Sequence, residues 1–403
     1  MDDHGAPSPR PARHSRRDLL RYSGLAAAST LAGCAIEGRT IEPVSPERYW
    51  AGRSRNGHLR FANWPLYMDP QRTPLTLFRQ RTGITVDYDE TIQDNASWFG
   101  RIRPLLAEGV DIGADLMVIT NGLEFNRLKA LGHLAPLDHE LLSTYAQYGA
   151  DRYKHTSYDP GNRFSVPYAS GITGIAYHPD LVGREITSFD DLWDPAFAGR
   201  VGMLGSPQEI ANVALLRNGV APADSTPTDW ENAAKALTRQ RDRGIVRAYY
   251  QQDYIQPLTS GELWLSMAWS GDVFQQNTVE GANLRFVIPR EGATIWTDNM
   301  VIPITAKNPV DAITLMDFLY TPEVAAELAE YITYVAPVPQ AQRVVEERAR
   351  AASAERRRSL QRLAQSPLVF PTERDYAQLH NYVPLPAGES QRFTSLFLAV
   401  TQA

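Results

Sequence analysis

The sequence is poor in cysteine. Its 403 residues contain one, Cys34, so no disulfide can form within the chain. After the first 33 residues it also lacks any run of the roughly 18 apolar residues that a membrane-spanning helix needs. There is no phosphate-binding glycine-rich loop, no G-x-S-x-G nucleophile motif and no H-E-x-x-H metal motif. These absences argue against an enzyme and predict no catalytic residue, cofactor or metal site.

The chain also lacks an excess of positive charge. The formal net charge is -6, which argues against general nucleic-acid binding. Hydrophobic residues make up 43% of the chain, enough for substantial cores. The composition therefore predicts a globular protein with one two-lobed body or several domains.

Residues 1–33 have the order of features typical of a twin-arginine lipoprotein export signal. Arg16 and Arg17 precede a weakly apolar segment (residues 22–32), and small residues lead to Cys34. We expect 1–33 to be a signal peptide and Cys34 to carry a lipid that holds the protein on the membrane. The alternative is a disordered basic tail with an ordinary cysteine. Residues 34–58 have no periodic apolar pattern and are predicted to be a tether.

Strand-like and helix-like segments alternate from residue 59 onwards. This order predicts an α/β lobe with right-handed crossovers, and a second series begins near Gly171. In the first series the segments are Leu59–Ala62, Pro74–Arg81, Ile84–Tyr88, Phe99–Glu108 and Asp115–Ile119; in the second, strands are expected at Ile172–Tyr177, Val201–Leu204 and Leu263–Ala268.

Five segments together resemble the spermidine/putrescine-binding proteins of ABC importers. They occur in order across about 340 residues of the chain, at Leu59–Tyr67, Phe164–Tyr168, Ser188–Trp193, Gly261–Trp269 and Ile295–Asp298 with Ile302-Pro303 after it. The resemblance implies a two-lobed type II periplasmic-binding-protein fold with the ligand in the cleft between lobes. It implies lobe 1 at 59–170 plus 297–345 and lobe 2 at 171–296 plus 346–403.

The same resemblance implies an extracytoplasmic monomer that captures a polyamine, putrescine or spermidine. Its partners would be the permease and ATPase subunits of the importer. A polyamine is an apolar chain with two or more ammonium groups, so its site needs carboxylates for the charges and aromatic faces for the methylenes.

Three aromatic residues are candidates from their position alone. Trp64 and Tyr67 follow the first strand, and Trp269 ends the strand that begins at Leu263. Ligands of open α/β sheets bind beyond the carboxyl ends of strands. The alternative for Trp64 is burial in a core under a loop.

The remaining candidates come from the resemblance. It implies that Trp296 flanks the methylenes, that Asp298 binds an ammonium, and that Thr120 and Tyr334 line the site. Hinge packing for the tryptophan and turn formation for the aspartate are the alternatives. Glu209 is implied as a second carboxylate, although Ser206–Glu209 also fits a helix capping box.

The chain departs from the family pattern at three positions. Ser206 stands where an aspartate is common, Gly122 lies where a tyrosine is expected, and Ser170 replaces a frequent tryptophan. One carboxylate and some aromatic surface are therefore expected to be missing. The same fold binding thiamine, ferric ion, a phosphonate or a sugar–amino acid conjugate stays open, with Tyr249-Tyr250 as a weak iron signal, and so does a ligand-sensing lipoprotein.

Overall fold

The computed structural model describes residues 44–385 and 388–402. The predicted signal peptide, with Arg16 and Arg17, and the predicted lipid site at Cys34 lie outside the described residues. Part of the predicted tether lies inside them and is folded. A short helix follows Ser45, whose side chain caps it, and Tyr49 packs into a hydrophobic core. This helix was not predicted, because one helical turn is too short to show a sequence period, and the assignment of 34–58 as a tether stays a prediction.

In the described part of the chain, ten strands form one mixed sheet. Their order across the sheet is β2-β1-β3-β9-β4-β7-β5-β6, with β10 paired to β9 and β8 paired to β4. Strands β1, β2 and β3 are parallel, as are β5, β6 and β7. The strands are β1 (His58–Asn63), β2 (Thr85–Glu90), β3 (Leu116–Thr120), β4 (Ser165–Tyr177), β5 (Val201–Leu204), β6 (Val246–Tyr250), β7 (Leu265–Trp269), β8 (Arg285–Val287), β9 (Ala293–Val301) and β10 (Leu379–Asn381).

Two long antiparallel strands, β4 and β9, join the two parallel groups. They pair along most of their length, with Ser170 opposite Thr297 and Gly171 opposite Trp296. Strand β4 is buried throughout and begins earlier than predicted, at Ser165 instead of Ile172. The sequence prediction stopped short because Pro167 cannot donate a ladder hydrogen bond. The structure accommodates it at a shift of register between Pro167 and Ala169.

Helices cover the faces of the sheet. Several begin at the signals expected for helix starts, such as Thr226, which caps its helix in a capping box. The helices are α1 (Pro46–Trp50), α2 (Thr73–Thr82), α3 (Asn95–Ala107), α4 (Leu123–Ala130), α5 (Ser143–Tyr148), α6 (Asp151–Lys154), α7 (Pro179–Val182), α8 (Pro207–Arg217), α9 (Pro227–Asp242), α10 (Ile255–Thr259), α11 (Ser270–Gln275), α12 (Pro309–Phe318), α13 (Pro322–Ile332), α14 (Gln340–Ala351), α15 (Ala354–Ala364), α16 (Glu373–Tyr376) and α17 (Ser390–Thr401). Within the described part of the chain, no helix has the length and apolar character to cross a bilayer.

The apolar side chains form two large cores, one on each side of the β4–β9 pair. The first contains β1, α2, α12 and α13, and the second contains α8, α9 and α17. Helices α14 and α15 contribute Val345, Leu360 and Leu363 to the first core. We therefore propose that the first lobe extends to about residue 370, beyond the boundary at 345 expected from the sequence.

Candidate ligand-binding site

Asp298 lies in the middle of β9, where the two groups of strands meet. Thr120, at the carboxyl end of β3, is its partner in register and donates its hydroxyl to Oδ1 at 2.6 Å. Tyr67, in the turn after β1, donates its hydroxyl to Oδ2 at 2.6 Å. The carboxylate is 2% exposed. Burial raises the pKa of Asp298 to about 6, against the two hydroxyl bonds, which lower it.

Glu209 lies in the first turn of α8 and is 4% exposed. Its Oε1 accepts hydrogen bonds from Trp269 Nε1 at 2.8 Å, Thr173 Oγ1 at 2.9 Å and the Tyr382 hydroxyl at 2.8 Å. Its Oε2 is buried with no hydrogen-bond partner among the described residues. Burial raises the pKa of Glu209, and the three donors oppose that rise. The capping-box interpretation is wrong. The Ser206 side chain makes no cap hydrogen bond, and the Glu209 carboxylate bonds to these three donors and not to the backbone of Ser206.

A third buried carboxylate was missed by the sequence reasoning. Asp272 lies in the first turn of α11 and is 7% exposed. It accepts the hydroxyl of Tyr334 at 2.8 Å and that of Tyr254 at 3.0 Å. Burial raises its pKa to about 6. Ser206 still supplies no carboxylate where the family pattern has an aspartate, whereas Asp272 adds a buried carboxylate three residues after Trp269, just beyond the carboxyl end of β7.

Aromatic rings connect the three carboxylates. Ring centroids are 6.4 Å apart between Trp64 and Tyr67, and 6.0 Å apart between Tyr67 and Tyr334. The row continues from Tyr334 to Trp296 at 5.3 Å and from Trp296 to Trp269 at 6.2 Å. Such rings present apolar faces that can cover methylene groups and attract cations.

Two glycines make room for this row. A Cβ on Gly171 would lie 2.1 Å from Trp296 Cζ2, and a Cβ on Gly271 would lie 2.6 Å from Tyr334 Cε1. Trp296 also donates its indole N–H to Thr173 at 3.1 Å. The rings are therefore held by close backbone packing as well as by hydrogen bonds.

The described residues place no basic side chain against the three carboxylates of the site. No lysine or arginine within 44–385 and 388–402 forms an ion pair with Glu209, Asp272 or Asp298. Over the same ranges, no three histidine, cysteine, aspartate or glutamate side chains are grouped so that they could hold a metal ion. Tyr249 and Tyr250, the weak iron signal, lie in edge strand β6 and pack against the second core.

All eight residues predicted for the site are connected through direct contacts. The set is Trp64, Tyr67, Thr120, Glu209, Trp269, Trp296, Asp298 and Tyr334. Trp269 was selected by the rule that ligands bind beyond the carboxyl ends of strands, and the same rule applies to Asp272. Thr173 and Tyr382 carry no local signal, because their roles depend on which distant residue they meet.

Known proteins resemble this chain over most of its length. Residues 111–358 match the family described as bacterial extracellular solute-binding protein. A spermidine/putrescine-binding periplasmic protein of Salmonella typhimurium is 30% identical over 288 residues, which cover 71% of this chain and 79% of that protein. A putrescine/agmatine-binding protein of Pseudomonas aeruginosa is 30% identical over 313 residues, with 73% and 81% covered.

A solved structure has the same fold. It is described as a putative spermidine/putrescine ABC transporter from Listeria monocytogenes, and it matches with a TM-score of 0.72 at 25% identity. The match covers 86% of this chain and 99% of that one. The α/β, two-lobed periplasmic-binding-protein fold predicted from the sequence is thereby confirmed, and the chain belongs to the bacterial extracellular solute-binding proteins.

Proposed function

We propose that this protein is the extracytoplasmic binding subunit of an ABC importer and that its ligand is a polyamine of the putrescine or spermidine type. The observation that carries the proposal is the set of three buried carboxylates that pair with no lysine or arginine in the described part of the chain. Two relatives are named as a spermidine/putrescine-binding periplasmic protein and a putrescine/agmatine-binding protein, and these names support the same ligand class.

Buried charges without partners are costly, and a cationic ligand removes that cost. Glu209, Asp272 and Asp298 together carry up to three negative charges in a site where water is largely excluded. A diamine or triamine brings two or three ammonium groups that can pair with them. The rings of Trp269 and Trp296 would cover the methylenes between those groups. Where an ammonium lies over a ring face, cation–π attraction would add roughly 0.5–2 kcal/mol.

Tryptophan fluorescence provides a direct test because Trp269 and Trp296 lie in the site. Titration of the purified protein with putrescine, spermidine and spermine should give saturable changes in emission, whereas thiamine and arginine serve as comparison ligands. Saturation with thiamine or arginine and none with any polyamine would reject the proposed ligand class and leave the fold unaffected.

The affinity for a polyamine should depend on pH. Burial raises the pKa values of Asp272 and Asp298 to about 6 each, so both carboxyl groups gain protons as the pH falls from 8 to 5. A protonated carboxyl cannot pair with an ammonium, and the affinity should fall at least about tenfold over this range. Calorimetry at a series of pH values measures the profile. A constant affinity, or a higher one at pH 5, would contradict a site built on these acids.

The stability of the ligand-free protein should respond to these two groups in the opposite direction. Their pKa values are higher in the folded state than in the unfolded chain, near 4. Their contribution to stability is therefore fully present below about pH 4 and is lost as the pH rises through about 6.

We further propose that the protein reaches its site of action by twin-arginine export and stays on the membrane through a lipid on Cys34. The sequence order of Arg16, Arg17, small residues and Cys34 supports this. The Cys34→Ser variant should be released from the membrane fraction, because one thiol carries the whole anchor. Fractionation of cells and immunoblotting measure it; a variant that stays with the membranes would contradict the anchor.

A further inference from the structure

The two oxygens of Glu209 have different surroundings. Oε1 accepts three hydrogen bonds, from Thr173, Trp269 and Tyr382, at 2.8–2.9 Å. Oε2 accepts none from the described residues and is buried. A carboxylate has about four lone-pair positions on its two oxygens. The protein has therefore filled one oxygen and left the other as an acceptor.

The three donors come from distant parts of the chain. Thr173 lies in β4, Trp269 ends β7, and Tyr382 follows β10 in the segment that leads to α17. Burial, followed by the charge of Glu209, raises the pKa of Tyr382 well above its usual value, so its hydroxyl stays protonated and acts as a donor. Tyr382 bonds to Glu209 across 173 residues of sequence, and no sequence motif links them.

We propose that Glu209 accepts an alkyl ammonium through Oε2 alone, and that Tyr382 is a positioning residue that makes this end of the site select ammonium over guanidinium. This inference rests on the proposed function, because it concerns the groups at the ends of a cationic ligand.

The geometry of the two cations explains the selection. An ammonium is a compact charge that can donate one N–H to one oxygen and share the others with neighbouring groups. A guanidinium is a planar fork that binds a carboxylate best through two parallel hydrogen bonds, one to each oxygen. With Oε1 filled by three donors, Glu209 cannot offer the second acceptor. At Asp298 each oxygen accepts a single hydroxyl, so both oxygens can still accept a hydrogen bond from a guanidinium there.

The test compares putrescine with agmatine and with the diguanidine analogue of putrescine on the wild-type protein. Agmatine should bind with its ammonium at Glu209. The diguanidine, which places a guanidinium at both ends, should bind at least about 30-fold more weakly than putrescine. Failure of every polyamine to bind would reject the proposed function. Equal binding of putrescine and the diguanidine would overturn only the inference made here.

The Tyr382→Phe variant removes one donor from Oε1 and keeps the ring. Putrescine affinity should fall about 5- to 10-fold near pH 7.5, less than the loss of a hydrogen bond to the ligand itself, because Tyr382 acts only through Glu209. The loss should grow at pH 6. In the wild type the Tyr382 hydroxyl lowers the pKa of Glu209, so in the variant this carboxyl is protonated to a greater extent at that pH. The preference for putrescine over the diguanidine should shrink as well.

Tyr376→Phe is the matched control. Tyr376, the last residue of α16, lies six residues earlier in the chain, and its ring packs under the Arg152 guanidinium. The Tyr376→Phe substitution should leave the putrescine affinity, its pH profile and the preference for putrescine over the diguanidine unchanged. Thr173→Val gives a second variant that removes a donor from the same oxygen, should Tyr382→Phe fold poorly. Wild-type affinity, pH profile and preference in both donor variants would overturn the inference.

Discussion

Replacement of Asp298 by asparagine is expected to weaken polyamine binding by about 100-fold or more. The carboxylate is buried in the middle of β9, and it holds the Thr120 and Tyr67 hydroxyls. Asparagine keeps the shape and one acceptor but not the charge. An ammonium would then be desolvated without its charged partner. Calorimetric titration of putrescine and spermidine measures the change.

Two observations separate this effect from a general loss of structure. The Asp298→Asn protein should melt at the wild-type temperature or above it at pH 8, because the substitution removes a buried charge that pairs with no lysine or arginine among the described residues. Asp87→Asn is the matched control: it removes an equal charge from the exposed edge strand β2, where Asp87 pairs with His58. Unchanged polyamine affinity in Asp298→Asn would exclude Asp298 from the site.

Addition of one methyl group at Gly171 is the second large effect that we expect. Gly171 lies opposite Trp296 in the β4–β9 pair, and a Cβ would lie 2.1 Å from Trp296 Cζ2. The indole is held on its other sides by Thr173, Tyr334 and Trp269 and cannot move without disturbing them. Gly171→Ala should lose about 1–3 kcal/mol of stability through overpacking. Polyamine affinity should fall at least about 30-fold, since the displaced ring covers the ligand.

Gly100→Ala is the control for this substitution. Gly100 lies in α3 with nothing within 4 Å of a Cβ, and its φ is not positive. It should keep wild-type affinity and gain about 1 kcal/mol of stability, the usual preference of a helix for alanine. Urea denaturation and calorimetry measure both variants. Gly171→Ala with normal affinity would mean that Trp296 does not cover the ligand.

The sequence predicts the parts of this fold that depend on local pattern. Short apolar strands followed by helices indicate the α/β class, and the rule that ligands bind beyond the carboxyl ends of strands selects Trp64, Tyr67 and Trp269. The same rule applies to Asp272, three positions after Trp269, although a single aspartate in a helix's first turn carries no ligand signal of its own. Strand β4 was predicted too short because Pro167 is tolerated only through a shift of register.

The remaining features are set by long-range contacts. The first turn of α8 reads equally well as a capping box or a ligand site, and only the fold shows that Glu209 meets Trp269 and Tyr382. The placement of α14 and α15 against the first core also depends on long-range contacts. The sequence of a charged amphipathic helix shows its apolar face but not which lobe that face packs against.

The structure of the protein crystallised with putrescine or spermidine tests the central claim most directly. We expect one ligand nitrogen within hydrogen-bond distance, about 2.7–3.2 Å, of Asp298 and another at Glu209 Oε2, with methylenes against Trp269 and Trp296. A polyamine bound elsewhere on the protein, or bound here with its nitrogens away from all three buried carboxylates, would contradict the account.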